Sequence, residues 1–139
     1  MSEEVFADTA YYVAELSPRD SLHASARKFS STYSGRIITT EYVLVEVATF
    51  CLHGSGRSAF ADLIQSLRAD PATTVVPAST QLFERAVVLF VARPDKDWSL
   101  TDCVSFVVMT ELELTDALTG DHHFEQAGFH ILLGQEAGA

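Results

Sequence analysis

Apolar and polar positions along the chain follow two periods. Short β-type runs, Val5-Phe6-Ala7, Arg36-Ile37-Ile38, Val75-Val76, Leu114 to Thr119 and Phe129 to Leu133, are separated by stretches in which apolar residues recur every three or four positions. Tyr11, Tyr12 and Leu16 mark a helix that stops at Ser17-Pro18. Leu22, Ala26 and Phe29 mark a second over Arg19 to Tyr33, closed before Ser34-Gly35. Thr39-Thr40-Glu41 supplies a hydroxyl cap and a first-turn acid for a third helix that runs to about Leu52, with Gly54 as its stop. Arg57 to Ala69, Ser79 to Ala92, Thr101 to Glu113 and His122 to Ala127 read as further helices, the last closed by Gly128, and Arg93 to Asp97 reads as a polar loop.

Strands separated by helices along the whole chain predict a mostly parallel sheet, because parallel neighbours need crossovers and the crossovers carry helices. The expected fold is α/β, a three-layer α/β/α sandwich forming a single domain over residues 1–139. In such folds ligands bind beyond the carboxyl ends of the strands, so residues that follow strands are where chemistry is to be sought.

Charge narrows the partners. Lys and Arg total 9 against 19 Asp and Glu, a net −10, and residues 71–139 carry 3 basic against 10 acidic side chains. This balance excludes a duplex binder held by a basic surface. Arg19, Arg27, Lys28, Arg36, Arg57 and Arg68 are the candidates for nucleic-acid backbone contact, although no basic patch is evident. No apolar run approaches a membrane span, and the acidic start Met1-Ser2-Glu3-Glu4 is unlike a secretory signal. Cys51 and Cys103 sit inside apolar runs, which suits reduced thiols in a cytoplasmic protein.

Most of the acids read as solvated surface, but Glu46 lies in Val43-Leu44-Val45-Glu46-Val47-Ala48, a segment apolar enough to suggest a helix buried all round. A buried carboxylate needs a cation or a proton. Asp8 follows the first strand and is either a helix cap or a crevice residue. Asp102 fits the capping-box spacing Ser99-x-x-Asp102, and Asp121 fits a plain N-cap. Capping explains each aspartate separately and leaves Glu46 unexplained. A shared Mg²⁺ or Mn²⁺ ion explains all four, since these ions take hard oxygen ligands. Asp116 stands before the Ala-Leu-Thr segment and is read as facing solvent, with a part in the site left open. His122 and His123 allow zinc or histidine-based chemistry, but as helix neighbours they read as a solvated pair. Tyr11 and Tyr12 are candidates for stacking a base near Asp8, or for the core.

Val5-Phe6-Ala7-Asp8-Thr9, Thr39-Thr40-x-x-Val43-Leu44-Val45-Glu46, Ser99-Leu100-Thr101-Asp102-Cys103-x-Ser105-Phe106 and Ala117-Leu118-Thr119-Gly120-Asp121-x-x-Phe124 together resemble the PIN-domain family, and within it the VapC-type toxin ribonucleases of bacterial toxin–antitoxin pairs. The resemblance covers nearly the whole chain. It implies a PIN-like fold and a Mg²⁺- or Mn²⁺-dependent endoribonuclease that cleaves structured RNA, tRNA or rRNA, with metal-activated water. It further implies Asp8, Glu46, Asp102 and Asp121 as catalytic metal ligands, a cognate antitoxin whose basic segment enters the acidic pocket, and a homodimer.

Two other classes use similar folds. Receiver domains need a lysine beyond the last strand, and the only lysines here are Lys28 and Lys96. Dehalogenase-like phosphatases need D-x-D-G-T, which Asp8-Thr9-Ala10-Tyr11 lacks. A non-catalytic acidic metal-binding module that recruits a protein partner is the remaining alternative.

Overall fold

The computed structural model describes residues 3–134. In chain order the elements are β1 (Glu4–Ala7), α1 (Thr9–Leu16), α2 (His23–Thr32), β2 (Arg36–Thr40), α3 (Glu41–Leu52), α4 (Arg57–Ala69), β3 (Thr73–Val76), α5 (Thr80–Ala92), α6 (Leu100–Glu111), β4 (Asp116–Leu118), α7 (His122–Gln126) and β5 (His130–Ile131). The strands form one sheet in the order β3-β2-β1-β4-β5, every neighbouring pair parallel. This is the α/β/α sandwich that the alternation predicts. No described helix is long and apolar enough to cross a membrane.

The central strand β1 is apolar without alternation because both of its faces are covered: Val5, Phe6 and Ala7 are all fully buried. Phe6 packs toward Phe124, and Phe124 meets Phe106 edge to face, which ties β1, α7 and α6 into one core. From β1 the chain builds outward through β2 and β3, then returns to the other side of β1 to add β4 and β5. The order therefore reverses between β1 and β4. The carboxyl ends of these two strands flank the crevice in which doubly wound sheets bind ligands.

Several boundaries differ from the sequence reading. α2 starts at His23 rather than Arg19, because Ser17 to Leu22 is held in turns: the Ser17 carbonyl accepts from the Asp20 N–H, and Asp20 Oδ1 accepts from the Leu22 N–H at 2.9 Å. β2 continues through Thr39 and Thr40, and Thr40 then caps α3 by accepting from the Val43 N–H. α6 ends at Glu111, and Glu113 adopts a left-handed φ of 56°, so β4 begins only at Asp116. β5 shrinks to two residues. α3 is not buried all round: Val43, Leu44, Val47 and Cys51 face the core, while Val45 is 66% exposed.

Candidate functional site

Asp8 is the first residue beyond β1, and extended backbone there turns its side chain into the crevice. It is 5% exposed, and its Oδ2 accepts from Thr119 Oγ1 at 2.9 Å, across from the end of β4. Thr119 Oγ1 also accepts from the Asp121 N–H at 3.0 Å. One hydroxyl thereby sets the spacing between the residues that follow β1 and β4. Asp121 in turn caps α7, its Oδ1 accepting from the His123 N–H at 2.9 Å.

Asp102 reaches the same crevice from the first turn of α6. Ser99 and Asp102 exchange two hydrogen bonds of 3.0 Å in a capping box, so the carboxylate is held by its own helix end. Glu46 arrives from α3, where Oε1 accepts from Thr9 Oγ1 at 2.6 Å. Asp8, Glu46, Asp102 and Asp121 line one pocket of about 460 Å³ with Thr9, Asp20, Asp97, Ser99 and His123. Capping and convergence are therefore compatible: Asp102 and Asp121 each cap a helix, and the two helix starts are what aim them at the pocket.

Among the described residues, no Lys or Arg lines this pocket. Burial pushes the Asp8 carboxyl up to about 7; hydrogen bonds from Thr119 and the Thr9 backbone partly oppose this, and the charges of Asp102 and Glu46 add to it. Asp102 is raised in the same way, chiefly by burial, with the Ser99 N–H opposing and the Asp121 charge reinforcing. Hard oxygen donors that share the lining of one pocket, one of them nearly inaccessible to water, are the donor type that suits a divalent cation of the Mg²⁺ or Mn²⁺ kind.

His123 overturns the reading of a solvated histidine pair. His122 is exposed, but the His123 side chain is only 18% exposed and its Nδ1 lies 3.1 Å from Asp102 Oδ2. α7 starts immediately after Asp121, so its first residues are turned by the cap, and only one of the two imidazoles escapes to solvent. Tyr11 and Tyr12 present no face to a base. Both are buried, edge to face with each other, and Tyr11 also meets Phe29 in the core. Asp116 begins β4, at the opposite end of the strand from Thr119, and its half-buried carboxylate lies 3.4 Å from His130 Nδ1. It therefore neither joins the pocket nor stands simply in solvent.

The basic candidates are dispersed. Arg19 precedes the pocket residue Asp20 without lining the pocket itself, and Arg27 pairs with Glu15 at 3.2 Å. Lys28 is exposed on α2. Arg36 opens β2 at the far end of the sheet, bonded to Thr74. Arg57 and Arg68 flank a larger apolar groove of about 980 Å³ between α3 and α4. The sequence reading gave no site role to Thr9, Thr119, Asp20 or Asp97, and set His123 aside as solvated. Only Thr119 left a usable signal, a hydroxyl two residues before an aspartate just past a strand.

Residues 5–130 match the family model of the PIN domain. Over 125 residues the chain is 26% identical to the 23S rRNA-specific endonuclease VapC20 of two Mycobacterium tuberculosis strains, covering 90% of this chain and 95% of the relative. The crystal structure of Mycobacterium tuberculosis VapC20, described as a toxin that cleaves the sarcin-ricin loop, superposes with a TM-score of 0.83 over the same shares of the two chains. The chain belongs to the PIN-domain family, and the relatives it matches there are VapC-type toxins.

Proposed function

We propose that this chain is a Mg²⁺- or Mn²⁺-dependent endoribonuclease, the cytoplasmic toxin of a VapBC-type pair, acting as a single domain over residues 1–139. The observation that carries the reading is the convergence of Asp8, Glu46, Asp102 and Asp121 on one pocket that no described Lys or Arg lines. These four residues would hold the ion. Bound there, it would lower the pKa of a water molecule and polarise a phosphodiester oxygen.

The chain's own groups do the positioning. Thr119 holds the Asp8 carboxylate, the capping box holds Asp102, and Thr9 holds Glu46, so donor positions are set before substrate arrives. Attack by water at phosphorus with departure of the 3′-oxygen leaves a 5′-phosphate and a 3′-hydroxyl. No protein nucleophile is needed: Cys51 and Cys103 are both buried in the core. Among structured RNAs, large-subunit ribosomal RNA is favoured over tRNA by the named activity of the 26%-identical relative.

Two partners follow. The net charge of −10 and the acidic pocket suit an antitoxin segment bearing arginine, whose planar fork matches carboxylates. A homodimer is supported by the exposed apolar side chains Phe83, Val88, Phe90 and Val91 on α5.

The test is cleavage of purified ribosomal RNA and of tRNA with Mg²⁺, with Mn²⁺ and with EDTA. Cuts in ribosomal RNA that need the ion and carry 5′-phosphates are expected. Cleavage that persists in EDTA contradicts the metal reading, and intact RNA under every condition favours the non-catalytic metal-binding module.

A further inference from the structure

We propose that the outer edge of the carboxylate pocket is a mixed imidazole–carboxylate subsite, formed by Asp121, His122 and His123, that takes a Zn²⁺-type cation which the carboxylate quartet alone does not favour. One potential ligand atom from each of these residues lies within 4.8 Å of the others. Asp121 Oδ1 is central: it stands 3.6 Å from His122 Nδ1 and 3.5 Å from His123 Nδ1. A tetrahedral ion with bonds of about 2.0–2.1 Å spaces its donors about 3.3–3.5 Å apart. The two separations from Asp121 are therefore close to those between donors on one ion, and the two imidazoles lie within 4.8 Å of each other. Asp102 Oδ2, 3.1 Å from His123 Nδ1, lies outside this three-residue group and is placed to orient the ring from outside.

Capping alone does not require this arrangement. The cap of α7 uses the His123 backbone N–H, which any residue would supply, yet the two imidazole rings lie 4.6 Å apart and both approach the capping oxygen. Imidazole suits Zn²⁺ and its borderline neighbours, whereas carboxylates alone suit Mg²⁺ and Mn²⁺. One wall of the pocket thus differs chemically from the rest. The exposed His122 leaves that wall open to ions from solvent.

The inference shares Asp121 with the proposed nuclease site and rests on that reading only to this extent. The full chain is titrated at neutral pH with ZnCl₂ and, separately, with MgCl₂ by isothermal calorimetry, as parent and as His122→Gln, His123→Asn and Asp8→Asn. The parent is expected to bind one Zn²⁺ at least about 100-fold more tightly than Mg²⁺. Each histidine variant is expected to weaken Zn²⁺ about tenfold or more, with His122→Gln leaving Mg²⁺ affinity within about twofold. His122 is exposed, so its replacement does not threaten the fold; His123→Asn keeps a side-chain donor beside Asp102. Zn²⁺ binding no tighter than Mg²⁺, or unchanged in either histidine variant, overturns the subsite and leaves the nuclease reading standing. Mg²⁺ binding that survives Asp8→Asn sinks the quartet instead, while lost Zn²⁺ binding in the histidine variants still supports the subsite.

Discussion

Asp8 and Asp95 are the same residue type under opposite treatment. Asp95 lies in an exposed loop, takes two 2.9 Å hydrogen bonds from the Arg93 guanidinium, and is drawn down to about 2. Asp8 is buried at the carboxyl edge of the sheet and is pushed up to about 7. The pattern extends to their surroundings. Away from the pocket, Glu15 pairs with Arg27, Glu111 with Arg85, and Asp116 stands beside His130. Within it, Asp8, Glu46, Asp102 and Asp121 share one lining in which, among the described residues, His123 is the only basic side chain. The paired acids each have a basic partner beside them, whereas the four pocket acids share only His123, and this is the contrast on which the proposed cation site rests.

The largest expected effect separates the two groups by activity. Asp8→Asn, Glu46→Gln, Asp102→Asn and Asp121→Asn should each lower the rate of RNA cleavage by about a thousandfold or more, several kcal/mol of transition-state stabilisation. Asp116→Asn, at the other end of β4, should stay within about twofold of the parent. Steady-state rates on one RNA substrate check both halves, and a parent-like rate in two or more of the four breaks the comparison.

A second effect follows from the elevated Asp8 carboxyl. Its folded value of about 7 lies above the ordinary 3.8, so the folded state binds this proton more readily than the unfolded chain. The associated stability is full below about pH 4 and is lost as pH rises through about 7. Asp8→Asn, a mimic of the protonated form, should therefore be the more stable protein at pH 8, by on the order of a few kcal/mol, and match the parent near pH 4. Urea unfolding in EDTA across this range gives the answer. A variant no more stable than the parent at pH 8 would mean that Asp8 is not held in an unfavourable charged state.

Ion binding should give a smaller gain. Mg²⁺ at about a hundred times its dissociation constant adds about 2.7 kcal/mol to the folded state. The melting temperature should rise accordingly in the parent and in Asp116→Asn, and much less in Asp121→Asn. The smallest effect belongs to the paired acids: Arg85→Ala removes an exposed ion pair and should cost less than about 1 kcal/mol, with cleavage unchanged.

The sequence carried the architecture well, because a parallel sheet writes its strands as short apolar runs between helical periods. It also singled out the four acids that share the pocket lining, since each stands at an element boundary or, for Glu46, interrupts an apolar run. What it did not carry was anything set by contact between distant segments. Thr9 and Glu46 are 37 positions apart, and Thr119 and Asp8 are 111 apart. The inward turn of His123 depends on where the cap of α7 begins, which periodicity does not resolve over a five-residue helix. α3 read as buried all round because its outer stripe is apolar as well; Val45 and Leu52 are exposed beside the groove against α4. Composition alone does not distinguish an apolar residue facing the core from one facing a groove.

The acids at the carboxyl edge are proposed to hold a divalent ion. Diffraction from a crystal of the parent protein grown with Mn²⁺, recorded at the manganese absorption edge, tests this most directly. An anomalous peak among the carboxylates of Asp8, Asp102 and Asp121, within reach of Glu46, is the predicted result; a well-ordered pocket with no peak, or a peak only at the paired acids elsewhere, would contradict it.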